Sequence, residues 1–377
     1  MSHLAKEPLR HANDQPRRLT VYLECPPGDG LRVSQDYFIE YVKPVLAASG
    51  LDWDFVQGRE EGDVRAAVAE RIRRERRAVE TPDKVELPTE EKIVQDLRAK
   101  SGIKEYAGLK GDLIVGRHTW KEYMRGLHEG WLGPLDPPVK SDDAPFAEET
   151  KPQDDSETNK DGHDEKKAEE GEKKKPERPP QPPPYNTTAD YSSSGTPRQI
   201  PPEFDPVVLI QEPHTLGFSK TLIRLNWFLN RRKLADDVGR QTAAICLGFS
   251  QDWSGAGTSS DDAGPTASVQ TRALDHEEAL WPKSVWKEDR VDEEGKKKDR
   301  TEKIWTAPIV ADPRIVSRVR RFDVLPEDET RAKSFVVPEE EIEGWIKGSL
   351  RSLGRWGVKQ WKGDKWTPNV GEVDSDD

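Results

Sequence analysis

Leu19-Thr20-Val21-Tyr22-Leu23-Glu24-Cys25-Pro26-Pro27-Gly28-Asp29-Gly30 decides the fold. Leu19, Val21 and Leu23 alternate with Thr20 and Tyr22, which is the period of a strand. Cys25 to Gly30 then brings two prolines and two glycines, which end the strand and turn the chain. A helix follows. Ser34 is its candidate cap, Phe38, Val42, Val45 and Leu46 share one stripe, and Gly50 suits the position just past its end. Pro44 falls inside this helix and predicts a kink. Leu51, Trp53 and Phe55 alternate again as a second strand.

The pattern continues outward from there. A second helix begins at Glu60, with Val64, Val68 and Ile72 on one face. Thr89 to Lys100 reads as a short helix carrying Ile93, Val94 and Leu97. Leu113-Ile114-Val115 is a short apolar third strand, and Gly116 to Thr119 leads into the amphipathic segment Trp120 to Gly130. The order β-α-β-α-α-β-α predicts an α/β fold: a Rossmann-like parallel sheet with crossover helices. We divide the chain into an arm (1–17), an α/β lobe (18–136), a disordered charged and proline-rich insert (137–200) and a β-rich second lobe (201–377). In that last part Val207 to Ile210, Gln241 to Phe249, Ile304 to Val310 and Arg320 to Leu325 read as strands. Helices are expected from Ser219 through Leu229 and from Glu339 to Leu353.

Of the 377 residues, 33% are hydrophobic and 34% charged, and the net charge is -12. That is too polar for a chain folded throughout, and the insert, with almost no large apolar residue, accounts for much of the excess. The acidic balance argues against a nucleic-acid binder, which shows a basic surface. No stretch approaches the roughly 18 apolar residues that span a bilayer. Cys25 and Cys246 have no metal-type spacing, and Cys246 lies in an apolar run that reads as core.

Little in the chain points to chemistry. In an open α/β sheet, ligands sit at the carboxyl ends of the strands. A phosphate there needs glycines, so that backbone N–H groups can close on it. The first loop offers Gly28, Asp29 and Gly30 behind two prolines, which lack donors, and Asp29 repels phosphate. The third offers Gly116, Arg117, His118 and Thr119, with one glycine. Both read as degenerate phosphate loops, so no cofactor is expected and no residue is assigned a catalytic or metal-binding role. The seven histidines show no metal spacing. Arg71, Arg73, Arg74, Arg76 and Arg77 crowd the end of the second helix, reading either as a solvated basic end or as a patch for an acidic partner or anionic lipid. Trp356, Trp361 and Trp366, interleaved with Lys and Arg, read either as a small core or as a membrane or partner surface.

Arg18 to Leu23, Pro26-Pro27-Gly28-Asp29, Tyr41 to Leu46, Glu61 to Arg65 and Gly217 to Arg232 together resemble a known family. It is the fungal fifty-four-kilodalton subunit of the mitochondrial inner-membrane carrier translocase. The resemblance implies a scaffold, not an enzyme, in the complex that inserts multispanning carrier proteins, with its large domain in the intermembrane space. It implies other translocase subunits and small intermembrane-space chaperones with carrier precursors as partners. The family carries an N-terminal membrane helix. No apolar helix stands near Met1, so the chain is expected to be that family's soluble domain. A second resemblance, to the catalytic lobe of diacylglycerol and acylglycerol lipid kinases, rests on the same strand and helix order and on Asp112-Leu113-Ile114-Val115-Gly116-Arg117-His118-Thr119-Trp120. Those enzymes carry a Gly-Gly-Asp-Gly-Thr loop there, of which one glycine and one threonine remain. It implies a kinase-like fold without its nucleotide loop. The rival readings are a working lipid or nucleotide kinase and a peripheral lipid-binding module.

Overall fold

A computed structural model describes residues 3–6, 15–81, 90–104, 106, 108–137, 181–253, 276–286, 302–335 and 345–362. Residues 1–324 and 325–377 are separate compact units.

The alternation in β1 (Arg18–Glu24) splits its side chains between two cores. Leu19, Val21 and Leu23 enter one, and Tyr22 enters the other. β3 (Asp112–Val115) and β4 (Val207–Ile210) divide the same way, with Leu113, Val115, Val208 and Ile210 on the first side and Ile114, Val207 and Leu209 on the second. A sheet buried on both faces is what parallel pairing with crossover helices demands. β2 (Asp52–Gly58) pairs parallel to β1, β3 pairs parallel to β1, and β4 pairs parallel to β3.

Two helical layers cover the sheet. α1 (Leu31–Tyr37) and α2 (Lys43–Ser49) pack on the Leu19 side through Phe38, Val42 and Leu46. The turn between them, Phe38–Val42, is π-helical. It lies just before Pro44, whose missing N–H breaks the regular ladder, so the expected kink takes this form. Gly50 closes α2 in the left-handed conformation at φ 73°, as expected of a C-terminal glycine. Ser34 is not a cap. Gly30 takes the cap position, and the Ser34 hydroxyl lies inside α1, donating to the Glu24 carbonyl at 2.7 Å. On the Tyr22 side, α3 (Asp63–Glu80) and α5 (Arg117–Leu132) bury Val64, Val68, Ile72, Trp120, Tyr123, Met124 and Leu127. α4 (Glu90–Lys100) leaves Ile93, Val94 and Leu97 exposed.

The strands expected for a second lobe join this same sheet. Its order is β2-β1-β3-β4-β6-β5. β6 (Arg320–Phe322) runs parallel to β4, and the edge strand β5 (Ser250–Asp252) runs antiparallel to β6. Two expected strands are absent. Gln241–Leu247 is the second half of helix α7 (Arg231–Leu247), closed by Gly248. Val238, Thr242, Ala244, Ile245 and Cys246 are its buried positions. Val238, Thr242 and Ile245 recur at helical spacing, hidden from the sequence reading by the short apolar run Ala243 to Leu247, which suits either state. Ile304–Val310 is irregular, with a bend at Ala307, and joins no sheet. Lys121 Nζ donates to the Trp305 and Ala307 carbonyls at 3.0 and 3.1 Å, so these oxygens are satisfied outside any ladder.

Part of the insert is ordered. Residues 138–180 lie outside the described residues, as does the charge run 292–299. From Gln181 onward the chain packs against α3 and α5. Tyr191 is buried and stacks on His128 with ring centroids 4.8 Å apart, and Arg65 donates to the Pro182 carbonyl at 2.9 Å. Composition alone assigned 181–200 to the disordered insert. Its few aromatic residues and its backbone carbonyls are what anchor it.

In the second unit, α9 (Pro326–Ser334) precedes a longer helix, α10 (Trp345–Lys362); a one-turn α8 (Pro313–Val316) belongs to the first unit. Among the described residues no helix is long and apolar enough to cross a membrane.

Candidate functional site: the carboxyl edge of the sheet

β2, β1, β3 and β4 are mutually parallel, so their carboxyl ends share one edge. The order 2-1-3-4 places a switch point between β1 and β3, where a doubly wound sheet opens a crevice. Glu24 and Cys25 arrive from β1, Gly116, Arg117 and His118 from β3, and Glu212 follows β4. Glu24, Cys25, His118, Thr119, Glu122, Glu212 and Glu277 are all buried.

Several backbone donors here are taken by carboxylates of the same chain. Arg117 N–H donates to Glu277 Oε1 at 2.8 Å, and Glu212 N–H donates to Glu277 Oε2 at 3.0 Å. At the start of α3, the Gly62 and Arg65 N–H groups donate to the two oxygens of Glu122. In the first loop, Gly30 N–H donates to Asp29 Oδ1 at 2.8 Å, and Asp29 also lies 3.5 Å from His214 Nε2. Gly116 N–H donates to the Ile210 carbonyl as part of the sheet. Helix N-termini with free N–H groups attract anions. Here Glu122 and Glu277 occupy the anion positions of α3 and α5.

Gly116 is needed for a different reason from the one a phosphate loop would give. Its φ is 91°, and a Cβ there would lie 2.6 Å from His118 Cε1. The glycine makes room for the buried imidazole.

Burial sets the protonation of the site. It pushes Glu277 and Glu122 each up to about 7. It holds Glu24 well above the usual carboxylate range, helped by the neighbouring Glu122, and Glu212 likewise by burial. Burial drives His118 down to about 4 and the Cys25 thiol up to about 12. A thiol held protonated is a poor nucleophile at neutral pH, and an imidazole with so lowered a value is a weak base. Raised carboxyls can mark catalytic sites, but structural networks raise them too. Glu122 and Glu277 each spend both oxygens on backbone donors. Among the described residues no group of three His, Cys, Asp or Glu has the arrangement to hold a metal ion.

Glu212 is buried with at most a weak contact to the Ser34 hydroxyl, which itself donates to the Glu24 carbonyl, and this predicts a pH-dependent cost. A carboxyl whose folded-state pKa is raised stabilises the fold below its unfolded pKa, and that contribution is lost as pH rises through the folded value. Glu212→Gln removes the charge and nearly keeps the shape. The variant is expected to be more stable than the parent at pH 8, by on the order of 1 kcal/mol, with the gap closing towards pH 5. Urea unfolding at the two pH values measures it. Comparing the two proteins cancels the buried histidines, whose lowered values act with the opposite sign.

The arginine cluster is largely spent inside the protein. Arg73 is buried against Glu129 and stacks 3.6 Å from the Tyr185 ring centroid. Arg71 pairs with the buried Asp112 at 3.2 Å. Arg76 donates to the Gly130 and Gly133 carbonyls, and Arg77 to that of Leu135. Arg74 sits at 4.0 Å from Glu70 and is the most exposed of the five. Of the tryptophans, Trp356 is exposed on α10, Trp361 lies on the same helix with its side chain outside the described residues, and Trp366 is outside them altogether. Cys25 and Cys246 are both free and buried.

The sequence reading missed Glu24, Glu122, Glu212 and Glu277. Two of them carried a signal: a glutamate closes the apolar run of β1, and another follows that of β4 by two residues. Glu277 carried none, since its partners lie about 65 and 160 residues away in the chain.

Fold and site together define a doubly wound α/β protein whose crevice holds its own carboxylates at the anion positions. A family model described as inner membrane protein import complex subunit Tim54 matches residues 1–322. A relative from Neurospora crassa, named mitochondrial import inner membrane translocase subunit tim54, is 52% identical over 365 residues, covering 95% of this chain and 77% of the relative. Its namesake from Aspergillus oryzae is 42% identical over 407 residues, covering 100% of this chain and 90% of the relative. One from Schizosaccharomyces pombe is 30% identical over 344 residues, covering 88% and 85%. The chain belongs to the Tim54 family of mitochondrial inner-membrane import translocase subunits.

Proposed function

We propose that this subunit is a non-catalytic scaffold of the translocase that inserts multispanning carrier proteins, working on the intermembrane-space side. It docks the other translocase subunits and the small chaperones that deliver carrier precursors, and an N-terminal membrane helix holding it at the inner membrane belongs to the same reading. One observation carries it: at the switch point, Glu122 and Glu277 take the donors a phosphate would need. A substrate phosphate would have to displace the carboxyl of Glu122 or Glu277 from its two backbone N–H groups in a buried site. The outer surface supplies contact area. Ile93, Val94 and Leu97 on α4 and Trp356 on α10 are large apolar side chains left exposed, a common property of faces that meet partners.

A pull-down tests it. The chain, immobilised and offered the small intermembrane-space chaperones loaded with a carrier precursor, is expected to retain the loaded complex above a blank resin. Retention of nothing, with the chain folded, would overturn the scaffold reading.

A further inference from the structure

The helix α6 (Thr221–Leu229) turns its apolar stripe outward. Phe218, Leu222, Leu225 and Leu229 recur at i, i+4, i+7 and i+11, one side of a helix that begins in the 3-10 turn Phe218–Lys220. These four are 93, 77, 52 and 60% exposed, and Phe228 beside them is 51% exposed. A stripe with this spacing normally faces a core. Here α7 supplies the helix layer instead, through Val238 and Ile245, so α6 has no sheet beneath it.

The charge around the stripe is one-sided. Lys220, Arg224, Arg231, Arg232 and Lys233 are five cations, and no Asp or Glu occurs between Gly217 and Ala235, in a chain of net charge -12. Arg231 is braced by Glu40 at 2.8 Å with its guanidinium over the Phe228 ring, and Lys220 is tied to the Leu280 carbonyl. An apolar stripe spanning roughly 17 Å with cations on its polar flank is the pattern of a helix lying in a membrane surface. A neutral protein groove would have no use for five cations, whereas anionic headgroups answer them.

We infer that α6 is a membrane-surface helix that sets this domain against an anionic lipid bilayer. The stripe enters the headgroup–acyl boundary while Arg224, Arg232 and Lys233 meet phosphate groups. The inference does not rest on the scaffold reading: a kinase or a scaffold could equally use such a footing.

Vesicle flotation tests it, using this chain, neutral phosphatidylcholine vesicles and vesicles containing one-third phosphatidylserine (about 30%, enough to carry a strong surface potential). The chain is expected to float with the anionic vesicles and to stay down with the neutral ones. Phe218→Ser/Leu222→Ser and Arg232→Glu/Lys233→Glu are each expected to lower the bound fraction about tenfold. All four side chains are exposed, so circular dichroism and the unfolding midpoint should not move. Flotation that is equal for both vesicle types, or unchanged by both pairs, overturns the inference. So does a chain that floats with neither but sediments as a dimer dissolved by Phe218→Ser/Leu222→Ser, which would make the stripe a self-association face.

Discussion

Glu129→Ala is expected to cost about 3–5 kcal/mol of stability, because it strands two buried guanidinium groups at once. Glu129, on α5, is 1% exposed and receives Arg65 through one oxygen and Arg73 through the other. The Tyr185 N–H donates to the same carboxylate at 3.1 Å. Arg65 keeps a second partner in Glu302, at 2.7 Å, and Arg73 a weaker one in Glu70, at 3.5 Å. Those pairs cannot satisfy both charges inside the α3–α5 interface. The urea midpoint reads the loss. A second signature should accompany it: residues 181–185, which lean on Glu129 and Arg65, should become accessible to protease. Glu129→Gln keeps an acceptor and should fall between the two. A midpoint shift equivalent to less than about 1 kcal/mol would mean the cluster is no more than a surface ion pair.

The same interface carries the second large effect. Gly126 and Gly130 sit one turn apart on α5, where α3 comes closest. A Cβ at Gly130 would stand 2.7 Å from Ile72 Cβ, and one at Gly126 would stand 2.8 Å from the Arg65 carbonyl oxygen. Neither obstacle is the free end of a flexible chain, so the helices must separate. Gly126→Ala is expected to cost about 2 kcal/mol and Gly130→Leu about 3 or more, since overpacking displaces the buried ion cluster as well. Thermal unfolding should show a fall of several degrees for each. Gly239→Ala is the control: Gly239 lies on α7 with open space where a Cβ would go, so alanine should raise stability by about 0.5–1 kcal/mol.

Local periodicity made the front of the chain legible. The alternation of Leu19, Val21 and Leu23, the left-handed Gly50 and the stripe of Val64, Val68 and Ile72 are all within a few residues of what they determine. The apolar run of β4 was equally clear as a strand, but nothing nearby says that it continues the sheet of β1 and β3 across an insert. Gln241 to Leu247 went to the wrong element because five consecutive small or apolar residues suit a buried strand as well as a helix. Ile304 to Val310 is irregular, and a lysine on α5 takes its Trp305 and Ala307 carbonyls, which no strand pattern reveals.

The carboxylates at the sheet edge were not legible in the sequence, since Glu122 meets Gly62 and Glu277 meets Arg117 by long-range folding. The arginines on α3 show the same limit: their partners Asp112 and Glu129 lie 41 and 56 residues further along the chain. A cluster of like charge in sequence became one buried pair at Arg73, a half-exposed one at Arg71 and backbone contacts at Arg76 and Arg77.

We propose that the carboxylates at the switch-point crevice, Glu122 and Glu277, keep a nucleotide out of it. Titration calorimetry with magnesium–ATP in large excess over this chain tests it most directly. No saturable heat is predicted at pH 7.5. Saturable binding that a non-hydrolysable analogue displaces, with phosphate released on turnover, would contradict it.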